Sequence, residues 1–355
     1  MYQFLTASKD ATIYLQQPKQ NTGLDEILEI SKVYYGNLKD TARTLIKFET
    51  TALSASLSAG DVTLGSCDLI LKECESNEIP IDYTIYAYPI SQSWEMGIGT
   101  RFDDISTDGV TWNYKTTGVD WLENSSSLNP QATGSGVPIK GGVWFTGSFA
   151  SQSFNYQSSD IEMNVLNMVS AWVNRILPNE GMILKHTSSF ETDTLDYGQL
   201  KFFSKETNTI YQPKLRIGWN DASFVTGSLT ALTSDDIHVT FKKLKTKYKV
   251  NSKPEIRVFA REKYPLKSYT NLYSYNDIKY LPETTYYQIR DVVTDDIIVP
   301  FGDYTKVSCD VSGNYFKVNL INWETNRDYY VEIKIDRDGE VEYFSDKDLT
   351  FLVEK

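Results

Sequence analysis

The sequence has few of the residues that usually hold metals or close disulfides. Its 355 residues include three cysteines, Cys67, Cys74 and Cys309, and two histidines. The cysteine count is odd and no C-x-x-C pair occurs, which argues against a zinc site, and we predict no cofactor. A bridge between Cys67 and Cys74 stays open at this point, although reduced thiols are the simpler interpretation.

The sequence also shows no signal-peptide pattern, no long apolar run and no excess of basic residues. The first residues show no basic region followed by an apolar stretch, so we expect no signal peptide. No run of about 18 apolar residues occurs, which predicts no membrane span. The net charge is −12. Residues 1–220 carry 16 Lys and Arg against 25 Asp and Glu, and the remainder 19 against 22. Neither half is basic, which argues against general nucleic-acid binding.

No catalytic constellation is visible, and we predict that the chain is not an enzyme. The two histidines, His186 and His238, fall in different predicted domains, which leaves little support for a His-based triad. No nucleophile elbow, P-loop or dinucleotide fingerprint lies where a strand would feed a helix.

Carboxylates occur in pairs, but in a spacing that does not suit glycoside cleavage. That reaction needs two carboxylates about 5–10 Å apart across a cleft. Adjacent strand residues point to opposite faces, so consecutive pairs predict solvated turns. Asp338-Gly339 predicts a hairpin rather than a calcium loop. The pairs are Asp103-Asp104, Asp235-Asp236 and Asp295-Asp296.

Aromatic residues are abundant and indicate a β-rich fold. The chain has 24 Tyr, 16 Phe and 7 Trp, residue types that favour strands. We predict a mainly β protein in which a jelly-roll-like β-sandwich with one covering helix precedes a smaller Ig-like β-sandwich. The predicted boundaries are 1–220 for the first domain, 221–230 for a linker and 231–355 for the second domain.

The first domain is organised around residues 163–184. Asn164 is placed to cap a helix of about three turns, which Pro178 would end. Asn179-Glu180-Gly181 then turns the chain into a strand at residues 182–184, and Trp172 is predicted to be a fold landmark together with Asn164, Asn179 and Gly181. The helix would cover an open edge or end of the sandwich. Its apolar stripe consists of Val165, Met168, Val169, Trp172, Val173 and Ile176.

The first 220 residues resemble the DNRLRE domain family. The motifs that carry the resemblance include Asn21-Thr22-Gly23, Thr111-Trp112-Asn113 and the segment from Asn164-Val165 to Trp172. The resemblance implies a jelly-roll-like sandwich of the kind found in bacterial surface proteins, some polysaccharide-acting enzymes and phage virion proteins. The sequence departs from the family pattern at the helix start and after Asn113, where Tyr114 replaces proline. Glycan-binding residues are therefore not carried over.

The second domain resembles the C-terminal part of structural proteins of tailed phages, including crAss-like and marine phages. The resemblance runs through residues 281–291, 298–310 and 313–316. It implies a virion structural protein, located in the neck or tail and assembled in the host cytoplasm, that forms a homo-oligomer ring. Its partners would be other phage virion proteins, such as portal-proximal, ring or tail subunits.

Two groups of residues are candidates for contacts. Aromatic loops would contact a glycan or a partner, which supports the alternative function of a carbohydrate-binding or host-surface adhesion module; the other interpretation is that these rings cap the sandwich. A glycan-cleaving enzyme is the weakest alternative. The lysine cluster would guard an edge strand, contact an acidic subunit or, least favoured, bind DNA. The loop residues are Trp94, Trp112, Trp121 and Trp144, and the cluster is Lys242, Lys243, Lys245, Lys247 and Lys249.

Overall fold

A computed structural model describes residues 1–77, 82–123, 137–154, 160–242, 244–267, 269–270, 273–337 and 339–355. The chain is mainly β with several sheets and little helix, which confirms the predicted β-sandwich fold class. It forms two compact units. We call Leu5–Ile217 the N-terminal unit, and Met1–Phe4 together with Gly218–Lys355 the C-terminal unit.

This division differs from the sequence-based boundaries in two places. The first four residues group with the C-terminal unit, because Tyr2 and Phe4 are buried in its core. The Phe4 ring packs edge-on against Trp323 at 6.1 Å. Residues 221–230, which the sequence indicates as a linker, also lie within the C-terminal unit.

The N-terminal unit contains a branched sheet in the order β10-β6-β12-β3-β1-β14-β4-β11. β2 pairs with β3 and with β13, and β13 also pairs with β5. A small sheet, β7-β8-β9, lies in the tryptophan-rich region. The strands are β1 (Tyr2–Tyr14), β2 (Ile27–Tyr35), β3 (Leu38–Phe48), β4 (Ser66–Leu71), β5 (Glu73–Asn77), β6 (Tyr83–Pro89), β7 (Tyr114–Thr116), β8 (Val119–Leu122), β9 (Pro138–Ile139), β10 (Ala150–Phe154), β11 (Ile161–Asn164), β12 (Met182–His186), β13 (Gly198–Phe203) and β14 (Lys214–Gly218).

Both faces of the central strands are buried. Successive residues of a strand point to opposite faces, and in β3 the neighbours Leu45 and Ile46 are both fully buried. On the Leu45 face, the tryptophan-rich segment between β6 and β10 supplies a second hydrophobic layer. The described tryptophans of this segment therefore form a packed cover for this sheet face.

The helix predicted within residues 163–184 is shorter than expected. It is α2 (Leu166–Val173), and its N-cap is Val165, not Asn164. Asn164 ends β11, and its side chain accepts a hydrogen bond from the backbone N–H of Leu166 at 3.1 Å. Asn164 thus still accepts a hydrogen bond from the first turn of the helix, although it lies one residue before the N-cap.

The helix ends before Pro178 because a C-capping motif terminates it. Arg175 adopts a left-handed conformation, with φ of 58°. The N–H of Ile176 donates to the carbonyl of Ala171, and that of Arg175 to Trp172, which together form a Schellman motif. Ile176 consequently leaves the apolar stripe and is 74% exposed. The predicted third turn was wrong for this reason.

The turn after the helix depends on the two predicted landmarks. The Asn179 side chain donates to the carbonyl of Phe48 at 2.8 Å and accepts from the N–H of Gly181. Gly181 has φ of 88°, and a Cβ there would lie 2.3 Å from the carbonyl oxygen of Ile46. Only glycine fits this close approach to β3.

The described residues of the N-terminal unit contain two further helices that the sequence analysis missed. They are α1 (Thr51–Ser58) and α3 (Ser188–Thr192). α1 is weakly amphipathic and buries only Leu53, so its sequence carries little periodic signal. The predicted β-sandwich with a covering helix is confirmed as a fold class, and the two added helices escape prediction because short helices can be held by tertiary contacts rather than by pattern.

Asp10 on β1 should make stability depend on pH. The carboxylate is almost fully buried and accepts a hydrogen bond from the N–H of Lys205 at 2.7 Å. Burial raises the pKa of Asp10 to about 7, against the opposing effects of that hydrogen bond and the Lys205 charge. Between pH 4 and 7 the folded state therefore binds more protons here than the unfolded state, so this group makes folding less favourable as pH rises.

We expect Asp10→Asn to remove this contribution to the pH dependence of folding stability. The stability of the variant relative to the original chain should increase by ~2–4 kcal/mol between pH 4 and pH 8, since the amide stays neutral. Urea unfolding across this range measures the difference and cancels the titration of other groups. A difference that does not change with pH would contradict the buried, proton-binding carboxylate.

The C-terminal unit is a sandwich of two main sheets. Their orders are β16-β18-β23-β22 and β17-β25-β24-β20-β21, and a short pair joins β15 to β19. Side chains such as Val258 and Ile333 form the core. The predicted hairpin at 338–339 joins the last two strands, with Gly339 at φ of 95° and Asp338 outside the described residues. The strands are β15 (Thr230–Ala231), β16 (Ile237–Lys242), β17 (Lys247–Lys249), β18 (Glu255–Glu262), β19 (Lys279–Tyr280), β20 (Thr285–Asp291), β21 (Ile297–Val299), β22 (Ser308–Asp310), β23 (Gly313–Lys317), β24 (Arg327–Arg337) and β25 (Glu340–Glu354).

Candidate interaction surface

The four tryptophans predicted as glycan or partner contacts are packing residues. Trp94, Trp112, Trp121 and Trp144 are at most 6% exposed. Their rings belong to the layer that covers the Leu45 face of the sheet. The Trp94 indole N–H donates to the carbonyl of Glu180 at 2.9 Å. A buried ring cannot stack on a surface sugar, so the assignment of these four residues as glycan contacts was wrong and the packing interpretation holds.

Beneath two of these rings lies a buried cluster of charges that the sequence analysis did not identify. The guanidinium of Arg43 lies 4.6 Å from the Trp112 ring centroid and 5.3 Å from that of Trp144. It forms a bidentate pair with Glu191, at 2.9 and 2.6 Å. The ammonium of Lys185 lies 3.0 Å from the same carboxylate.

The single carboxylate of this cluster is shared by two cations. Burial raises the pKa of Glu191, but Arg43 and Lys185 more than offset that effect and hold the pKa below its usual value. Burial, together with the charge of Arg43, lowers the pKa of Lys185 to about 8. Arg43 and Glu191 are therefore the permanent ion pair. Removing one member would leave its partner buried and uncompensated.

This cluster does not have the features of a catalytic site. Arg43, Lys185 and Glu191 are all buried, so a substrate at the surface does not reach them. The neighbouring His186 packs against Tyr83 and Tyr197, and burial lowers its pKa to about 4, which keeps it neutral near pH 7. His238 belongs to the other unit. The described residues contain no group of three or more His, Cys, Asp or Glu that could hold a metal ion.

The remaining sequence candidates are accounted for by local structure. Cys67, Cys74 and Cys309 are free thiols. Asp103 and Asp104 are exposed in a loop, and Asp295 sits in a turn with φ of 58°. No helix in the described part of the chain is long and apolar enough to cross a membrane.

The lysine cluster lies on or near the first strand in the order of each of the two main sheets of the C-terminal unit. Lys242 is the last residue of β16, the terminal strand of the four-stranded sheet, and Lys247 and Lys249 lie on β17, the terminal strand of the five-stranded sheet. Lys245 is exposed between them, and Lys243 lies outside the described residues. Lys245, Lys247 and Lys249 line a surface groove together with Lys253.

The cluster is part of a longer basic stretch that the sequence analysis did not delimit. Residues 242–267 contain ten Lys and Arg against two Glu, a net charge of +8. The rest of the chain contains 25 Lys and Arg against 45 Asp and Glu, a net charge of −20. The contrast does not appear in the net charge of either half of the chain, because the C-terminal half contains acidic residues as well. A sliding count of charge would have found it.

Aromatic rings on the four-stranded sheet are already paired with these cations. Lys242 lies 4.1 Å from the Phe259 ring centroid, and the guanidinium of Arg257 lies 4.8 Å from that of Tyr315. Arg257 also forms a bidentate pair with Asp310, both bonds 2.7 Å long. A nucleic-acid base would have to displace these cations in order to stack.

Comparison with known proteins gives no family. No protein-family model and no curated protein matches the chain. Two crystal structures of Parabacteroides merdae beta-glucuronidase, one with glycerol in its active site, are similar at 9% and 10% identity. Each match covers 82% of this chain but only 28% or 29% of that enzyme, with TM-scores of 0.17 and 0.16. Likeness this low carries no argument about fold or activity.

Proposed function

We propose that this chain is a non-enzymatic structural protein of a tailed-phage virion, a neck, collar or tail component that assembles in multiple copies. The observation that carries the proposal is the separation of charge. A stretch of net charge +8 lies in a chain whose other residues sum to −20. Complementary charges of this size support assembly through repeated contacts.

The chemistry of the N-terminal unit also supports a structural role. The cluster of Arg43, Glu191 and Lys185 is buried, and its one carboxylate binds both cations. The tryptophans that would suit sugar binding are buried as well. Both groups of residues hold the sheet and its cover together, which suits a scaffold more than an enzyme or a glycan receptor.

Mass spectrometry of purified virions tests the proposal. For the phage that encodes the chain, we expect peptides from both units in gradient-purified particles at a fixed ratio to the major tail protein. A second gradient at physiological salt should not remove them, because a structural subunit is bound at several interfaces. Peptides that appear only in the host lysate, or that are lost in this second gradient, would contradict a structural role.

A further inference from the structure

An exposed apolar loop projects from the N-terminal unit. We call residues 97–109 the acidic loop. The side chains of Ile98, Phe102 and Ile105 are each more than two thirds exposed. Asp103 and Asp104 are exposed beside them. Large apolar side chains rarely cluster at the surface of a monomer without a partner.

This loop has a fixed shape rather than a frayed one. Asn21 is fully buried and holds both ends, since its amide donates to the carbonyls of Met96 at 2.8 Å and Val110 at 2.7 Å. Its oxygen accepts from the N–H of Gly99 at 2.8 Å. Gly97 has φ of 79°, and a Cβ there would lie 2.0 Å from the carbonyl of Asp108. A loop whose ends are fixed in this way presents a preformed surface at its tip.

A second exposed loop follows β18 in the C-terminal unit. We call the described residues of 263–278 the tyrosine loop. Tyr264 and Leu266 are largely exposed, and Tyr269 is fully exposed. Lys263 and Lys267 flank Tyr264 and Leu266 on either side, and both are exposed. Tyrosine supplies contact area at low entropic cost, because it has only two side-chain rotations to fix.

The two loops are complementary in charge and alike in apolar exposure. We propose that the acidic loop of one copy docks on the tyrosine loop of a second copy, a contact that rests on the proposed assembly into multiple copies. Asp103 and Asp104 would face Lys263 and Lys267 while the apolar side chains pack between them. Because the two surfaces differ, the contact either pairs reciprocally in a two-fold dimer or adds copies head to tail, into a ring or a filament.

Other occupants fit these loops less well. Nucleic acid would be repelled by Asp103 and Asp104. It could therefore occupy the tyrosine loop but would leave the exposed apolar side chains of the acidic loop unexplained. A neutral glycan would use neither set of charges. A second copy uses all of these features at once, and both halves of the contact are present in every chain.

Complementary charge reversal tests the contact. One variant carries Lys263→Glu with Lys267→Glu, and the other carries Asp103→Lys with Asp104→Lys. Sedimentation should show self-association of the full chain, weakened about tenfold or more in each variant. Mixing the variants should restore association, because the intact acidic loop of the first meets the intact tyrosine loop of the second. The matched controls Asp61→Lys and Lys347→Glu reverse exposed charges elsewhere and should leave association unchanged.

Three results would overturn this contact: a monomeric original chain at every concentration, single variants that associate normally, or a mixture of folded variants that does not recover. Unchanged circular dichroism and melting verify that both variants fold. The outcome is separable from the virion proposal. A monomeric chain that is found in virions removes the contact alone, whereas an associating chain that is absent from virions removes the virion role alone.

Discussion

Replacing Glu191 with alanine should destabilise the N-terminal unit by ~3–5 kcal/mol, because the change strands two buried cations. Arg43 loses both hydrogen bonds to the carboxylate, and Lys185 loses its ion pair. Urea unfolding followed by tryptophan fluorescence measures the effect. Five of the seven tryptophans lie in this unit, so the signal reports mainly on it.

Glu75→Ala is the matched control for this prediction. Glu75 pairs with Lys201 at 2.6 Å but is half exposed, so its loss should cost much less than the loss of Glu191. Replacing Arg43 and Glu191 together by leucine should cost less than Glu191→Ala alone, since only Lys185, rather than both cations, is then left without the carboxylate. If Glu191→Ala and Glu75→Ala lower the free energy of unfolding equally, Glu191 does not stabilise the buried cations Arg43 and Lys185 as described above.

Trp172→Ala should destabilise the same unit by ~3–5 kcal/mol, because it opens a large cavity under α2. Trp172 is 4% exposed and lies on the buried face of the helix with Met168 and Val169. Its indole N–H finds no acceptor among the described residues. Thermal or urea unfolding gives the change in the free energy of unfolding.

Two companion variants separate packing from other causes. Trp172→Phe keeps most of the volume and removes the unmatched donor, so it should cost less than ~1.5 kcal/mol. Ile176→Ala, at the exposed position just past the helix, should stay within about 0.5 kcal/mol. A Trp172→Ala chain as stable as Ile176→Ala would show that the helix is peripheral.

Much of the β architecture could be read from the sequence, because alternation and aromatic content are local signals. The last strands and their hairpin at 338–339 follow from such signals. The helix end does not. Its C-terminus depends on the left-handed Arg175, and no residue type at that position announces the turn.

Burial of charge could not be predicted. Lys32 and Lys185 look like surface lysines in the sequence, yet both are fully buried. Lys32 donates to the carbonyls of Asp193 and Leu195, partners that are about 160 residues away. Such contacts are long-range and leave no periodic trace. The same holds for Tyr2 and Phe4, which pack in a core built mainly from the other end of the chain.

The candidate surface was partly visible in the sequence. The lysines from Lys242 to Lys249 were identified, but not the extent of the basic stretch or the acidic loop. Ile98, Phe102 and Ile105 are too few and too scattered to stand out by composition. Only their common exposure, and the clamp that Asn21 provides, makes them a surface.

Immunogold electron microscopy of intact virions tests the central claim most directly. Antibodies against the C-terminal unit should label the neck or tail at one fixed position, with several gold particles per virion where epitopes are exposed. Phage particles that lack the gene product should be unlabelled. Gold absent from every virion, with signal only in soluble host extract, would contradict the proposal that this chain is a structural component of the particle.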